Sequence, residues 1–269
     1  MTPWEIFFTG LAVVLSLLTV LWLISIPIRN VSIVDIFWGA GFAAIGYTYH
    51  NLGENHSWRG NLVLLLVILW GLRLSIHLAV RNLGKGEDYR YQEFRQRFGP
   101  RRYWWFSFFQ VFLLQGVLLW LISTPLLAVQ VLENTAVTFL DEVALVLWVT
   151  GFVFEAGGDY QLMKFRSNPA NKGKVLRTGF WKYTRHPNYF GDAAVWWGFA
   201  LFGVAAGAWW PLLSAALMNL LLLKVSGVAL LEKSLKQTKP EYQEYVRQTP
   251  AFFPWFPKSG SSASTPPGQ

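Results

Sequence analysis

Long apolar blocks separated by short polar segments dominate the chain. Seven of them approach the roughly 20 residues that a helix needs to cross hydrocarbon. They cover about 5–28, 31–50, 60–82, 105–131, 138–162, 189–207 and 209–231. Gly203, Gly207 and Pro211 interrupt the sixth. Trp209-Trp210-Pro211 leaves almost no loop before the seventh, so these two predict a tight hairpin. Trp104-Trp105 and Trp209-Trp210 fit interfacial aromatic belts. Beyond them, Pro240 to Arg247 predicts a short polar helix ending near Pro250. The expected architecture is an all-α integral membrane protein with seven transmembrane helices. It forms one domain over 1–258, followed by a Ser/Gly/Pro-rich tail at 259–269 that predicts disorder.

Composition supports the membrane reading. Hydrophobic residues make up 53% of the 269 positions and charged residues 14%, against about 25% charged in soluble domains. The first block lacks a basic leader and a small-residue cleavage site, so it reads as a retained span. No cysteine is present, which excludes disulfides, thiolate nucleophiles and Cys-ligated metals. His50, His56, His77 and His186 are too scattered to predict a metal site.

The net charge of +8 changes the picture through its distribution. Segment 81–104 carries seven cations, and 164–187 carries Lys164, Arg166, Lys172, Lys174, Arg177, Lys182 and Arg185. The tail adds Lys233, Lys236, Lys239, Arg247 and Lys258. Seven spans put these segments and Arg29 on one side, leaving Arg59, Glu133, Asp141 and Glu142 on the other. The positive-inside rule then predicts an outside amino terminus and a cytosolic carboxyl terminus. Lipid rather than nucleic acid is the expected macroscopic partner.

Several polar groups stand out against this background. Residues 179–192 pack two cations, a histidine, an amide, two tyrosines and a carboxylate into a stretch flanked by apolar runs. Such density is costly at a membrane edge and points to a polar ligand. Trp70, Arg73, His77 and Arg81 share one helical face, with Arg73 about 12 Å deeper than Arg81 at the helical rise. Glu155, Asp159 and Arg166 share another. Both sets also read as salt-bridge networks, and Arg73 as a snorkelling arginine. Asp35 is the sole acid of its block; it reads as a helix cap or as a protonated donor to a substrate carbonyl. Arg81, Lys85 and Arg90 could hold phosphates or attract anionic lipid. Gly84-Lys85-Gly86 lacks the second half of a P-loop.

Gly-Phe-Trp-Lys-Tyr-Thr-Arg-His-Pro-Asn-Tyr-Phe-Gly-Asp at 179–192 resembles the carboxyl-terminal signature of the membrane steroid 5α-reductase superfamily. Further likeness to bacterial members lies in Val34-Asp35-Ile36-Phe37-Trp38-Gly39, in Gly86-Glu87-Asp88-Tyr89-Arg90-Tyr91 and in Glu155-Ala156-Gly157-Gly158-Asp159-Tyr160-Gln161. The resemblance implies a seven-helix enzyme whose cytosolic loops form an NADPH site. By it, Arg73, Arg81, Lys85, Arg90, Asp159, Arg166, Tyr183, Arg185, His186, Asn188, Asp192 and Trp196 bind the cofactor. Glu232 and Tyr245 close the pocket. Asp35, Trp70 and Glu155 form the catalytic set, with Trp70 standing where the family has a carbonyl-binding tyrosine.

The implied reaction reduces the double bond of a 3-oxo-Δ4-steroid or similar lipid enone, by a monomer in a bacterial cytoplasmic membrane. A membrane methyltransferase using S-adenosylmethionine is the rival, since isoprenylcysteine and phospholipid methyltransferases carry similar Arg-His-Pro segments. A lipid-binding scaffold without turnover is the non-enzymatic alternative.

Overall fold

The computed structural model describes residues 1–54, 56–132, 134, 136–225, 228, 232 and 241–258. Most of these are helical, and there is no strand among them. In chain order the helices are α1 (Pro3–Ile28), α2 (Ile33–Ile36), α3 (Trp38–Leu52), α4 (Trp58–Asn82), α5 (Tyr89–Phe98), α6 (Pro100–Ser107) and α7 (Leu114–Ile122). They continue as α8 (Thr124–Val131), α9 (Phe139–Ser167), α10 (Pro187–Ala205), α11 (Pro211–Leu220) and α12 (Glu241–Gln248).

Among the described residues, three helical stretches are long and apolar enough to cross a membrane: Pro3–Ile28, Trp58–Asn82 and Arg101–Ile122. The last is continuous through a π-turn at Phe108–Leu113. The other expected blocks are also helical but are bounded differently. Block 31–50 is split at Phe37, where the backbone leaves the helix at φ −91° and ψ 1°. Block 105–131 ends early at Ser123 because Pro125 cannot donate a backbone hydrogen bond and a new helix must start. Block 138–162 falls in α9 from its second position onward, and block 189–207 matches α10 closely. The seventh block is helical through Pro211–Leu220 and a π-turn at Leu221–Val225; most of its remainder lies outside the described residues. So do Glu133, Lys233, Lys236, Lys239, Pro240 and the 259–269 tail. The polar helix foreseen near 240–247 is α12.

The chain divides into two compact units, Met1–Trp148 with Trp196–Met218, and Val149–Val195 with Asn219–Gln269. Each is discontinuous in sequence. In the first unit, α3 and α4 approach backbone to backbone. A Cβ on Gly39 would lie 2.3 Å from the Gly71 carbonyl oxygen, and a Cβ on Gly71 equally close to that of Gly39. Small residues permit this contact, and Ser75 Oγ accepts from Ala40 N across it at 2.9 Å. Phe42, Trp70, Trp196 and Phe199 fill an aromatic core nearby, with ring centroids 4.4–5.7 Å apart between neighbours.

Arg59 and Asp141 are buried in the same unit. Arg59 donates through Nε and Nη2 to the two carboxylate oxygens at 2.6 and 2.8 Å. It also donates to the carbonyls of Ala136 and Asn134. The charges that the sequence assigns to an outer loop thus pin that loop to the start of α4.

Candidate functional site

The second unit is built on the carboxyl-terminal half of α9. Glu155 and Asp159 are buried one turn apart there, and Arg166 is exposed near the helix end. The absence of a side chain at Gly191 lets α10 close on α9, since a Cβ would lie 2.3 Å from Glu155 N and 2.5 Å from the Gly151 carbonyl. Gly157 and Gly158 accept the Phe180 ring, and the Pro187 ring with the Asn188 backbone nitrogen, in the same way. The 179–192 motif therefore folds back along α9. Trp181 Nε1 donates to the Gly158 carbonyl at 3.0 Å, Phe180 N to Gln161 Oε1 at 3.0 Å, and Asn188 Nδ2 to Asp159 Oδ1 at 3.0 Å. Pro187 then opens α10, where its missing N–H costs nothing.

Arg185 is the hub of the unit. Its Nε and Nη2 donate to Glu232 Oε1 at 2.8 and 2.6 Å, and its Nη1 donates to the carbonyls of Thr249 and Val246 at 2.6 and 3.1 Å. His186 Nε2 lies 3.3 Å from the same Glu232 oxygen. Tyr245 donates its hydroxyl to the Trp181 carbonyl. These bonds tie α12 and the chain after it to the motif. Burial alone would raise the Glu232 carboxyl, but the bonds from His186 and Arg185 outweigh it and hold the group down at about 2. Burial and then the Glu232 charge push the Tyr242 hydroxyl up to about 12.

A cavity of about 350 Å³ opens between α9, the loop after it and α12, a size typical of small-molecule sites. Arg166, Lys172, Lys174 and Arg185 give it a basic lining; Asn168, Asn171, His186, Tyr242 and Tyr245 add polar groups. Its loop is shaped by Asn168, which accepts from Ala170 N, and by Gly173 at φ 85°. His186 is 1% exposed, yet its Nδ1 has no hydrogen-bond partner among the described residues. Buried polar atoms of that kind call for an explanation, and a polar ligand is one.

The expected site residues divide between the units. In the second, Arg166, Arg185, His186 and Tyr245 line the cavity directly. Asp159 and Asn188 pair, Glu232 anchors Arg185 and His186, and Tyr183 meets the ring edge of Phe256. Glu155 is buried and Asp192 half-buried on facing helices.

In the first unit, Trp70 and Trp196 are fully buried in the aromatic core. Arg73 is half-buried on α4, while Arg81 and Lys85 are exposed. Arg90 bonds Asp35 Oδ2 at 3.0 Å and Asp88 Oδ1 at 3.0 Å. Tyr91 donates to Asp35 Oδ1 at 2.7 Å and accepts from Gln115 Nε2 at 3.2 Å. Both Asp35 oxygens therefore have polar partners, so the group is not isolated among apolar side chains. Burial, then the adjacent carboxylate, raises the Tyr91 phenol above its ordinary range, which keeps it protonated as a donor.

Sequence reasoning passed over Tyr91, Gln115 and Tyr242. Tyr242 stands one turn before Tyr245 on α12, a spacing that was available as a signal. Nothing in the local pattern connects Tyr91 with Asp35, 56 residues earlier.

Residues 21–249 match the family described as "Protein of unknown function (DUF1295)", and the chain belongs to that family. It is also 28% identical over 281 residues to an uncharacterized protein of the fission yeast Schizosaccharomyces pombe, an alignment covering 92% of this chain and 79% of the yeast protein. No solved structure matches.

Proposed function

We propose that the protein is a seven-span integral membrane reductase that uses NADPH to reduce the conjugated double bond of a lipophilic enone, typified by C4–C5 of a 3-oxo-Δ4-steroid. The observation that carries this reading is the basic cavity of the second unit, bordered by the motif that resembles the steroid 5α-reductase superfamily. Its lining fits a phosphorylated nucleotide. Arg166, Lys172 and Lys174 supply cations for phosphate oxygens, and His186 Nδ1 offers unspent hydrogen-bonding capacity to a sugar or amide. S-adenosylmethionine carries a sulfonium and no phosphate, so the same lining suits it less.

When bound, NADPH supplies a hydride for the β-carbon of the enone. The chain's own residues have three tasks. The cationic loop holds the phosphates. Arg185, Glu232 and Tyr245 keep the carboxyl-terminal helix against the cavity. In the first unit, Tyr91, held by Asp35 and Gln115 with Arg90 on the same aspartate, is the candidate donor to an acceptor carbonyl. A phenol can donate and relay a proton, which the Trp70 indole cannot relay. On this reading the protein is a monomer of the bacterial cytoplasmic membrane with a cytosolic carboxyl terminus.

Equilibrium binding to the detergent-solubilised protein tests the reading. Saturable NADPH binding that Arg166→Ala abolishes is the expected result, together with NADPH oxidation that depends on an added 3-oxo-Δ4-steroid. Preferential binding of S-adenosylmethionine overturns it.

A further inference from the structure

We infer that residues 251–258 form an anchor that rests in the interface of an anionic lipid bilayer. The segment Ala251-Phe252-Phe253-Pro254-Trp255-Phe256-Pro257-Lys258 follows α12 and lies beyond the residues matched to the family. It is tied down by its backbone. Thr184 Oγ1 donates to the Phe252 carbonyl at 2.8 Å, Trp255 N to the Tyr183 carbonyl at 2.9 Å, and Lys258 N to the Gln248 carbonyl at 2.9 Å. Phe252 turns inward. Phe253, Trp255 and Phe256 are 74%, 72% and 72% exposed.

A fixed backbone presenting three large rings outward is unfavourable in water, because apolar area left wet costs about 25 cal/mol per Å². The cost disappears if the rings enter the headgroup region, where tryptophan and other amphipathic aromatics concentrate.

Charge selects the occupant. Lys182 Nζ lies 5.7 Å from the centre of the Tyr183 ring, and the Phe256 ring meets that same tyrosine at 5.9 Å. Lys258, whose backbone N donates to the Gln248 carbonyl at the end of α12, is exposed, as is Arg247 one position before Gln248. Aromatic rings bracketed by cations match an anionic membrane surface, where each cation contributes about 1 kcal/mol. A bilayer is also within covalent reach, since the same chain carries helices long and apolar enough to cross one. The inference does not depend on the reductase reading.

The absence of cysteine makes the test direct. Full-length Phe253→Cys, and separately Trp255→Cys, is labelled with an environment-sensitive fluorophore and reconstituted into vesicles of mixed phosphatidylglycerol and phosphatidylcholine. The expected result is several-fold quenching by shallow doxyl lipids with protection from aqueous iodide, and weaker doxyl quenching in pure phosphatidylcholine. Labels open to iodide in both vesicles would overturn the inference. So would labels shielded from iodide but untouched by doxyl lipid, the signature of a protein cover such as a second copy of the chain.

Discussion

Glu232→Gln isolates the electrostatic clamp of the second unit. In the folded protein this carboxyl is held at about 2, against an ordinary 4.5. Each unit of such a difference is worth about 1.4 kcal/mol, so the ionised clamp contributes about 3 kcal/mol at neutral pH. The group is only 13% exposed, so little of this is lost to solvent screening. Because the folded-state value is depressed, the contribution is complete above 4.5 and disappears as pH falls through about 2.

Glutamine keeps the shape of the side chain and removes its charge. The variant should therefore unfold more readily than wild type at neutral pH by about 3 kcal/mol, with the gap closing steadily between pH 4.5 and about 2. Thermal denaturation in detergent micelles measures the gap. Limited proteolysis after α12 shows that the loosened part is the carboxyl-terminal segment held by Arg185. Equal stability of variant and wild type at neutral pH, or a gap that does not change on acidification, would refute the reasoning.

Two further outcomes are expected. Arg59→Met should destabilise the first unit by about 3–5 kcal/mol, because it strands Asp141 as a buried charge; pairing it with Asp141→Leu should restore most of the loss in a thermal melt. Tyr91→Phe keeps the ring and deletes the donor, so enone-dependent NADPH oxidation should fall by about 10²–10³-fold, as for other lost carbonyl-stabilising donors, with NADPH affinity unchanged in the binding assay.

The elements were legible in the sequence because their signals are local. Apolar block length marked α1, α4, α9 and α10. The polar run at 240–247 marked α12. The likeness at 179–192 singled out the stretch that borders the cavity. Helix breaks were less visible. The stop at Ser123 follows from Pro125, yet the hydropathy of 105–131 hides it. Arg185 reads as a ligand-binding cation, but the structure gives four donor contacts of its guanidinium to Glu232, Thr249 and Val246. Trp196 reads as a cofactor contact, but it is packed against Phe42, Trp70 and Phe199.

By itself the sequence determined that the chain is helical, rich in membrane-length apolar blocks, asymmetric in charge and marked by one dense polar motif. Those properties follow from residue type and spacing within a few turns of helix. Only the tertiary structure decided which polar groups neutralise one another and which border open space. Asp35 meets Arg90 and Tyr91 across 55 and 56 positions, and Arg185 meets Glu232 across 47. Glycines at 39, 71, 151 and 191 set how closely helix backbones approach. Partners so distant in sequence are chosen by packing, and no local periodicity encodes that choice.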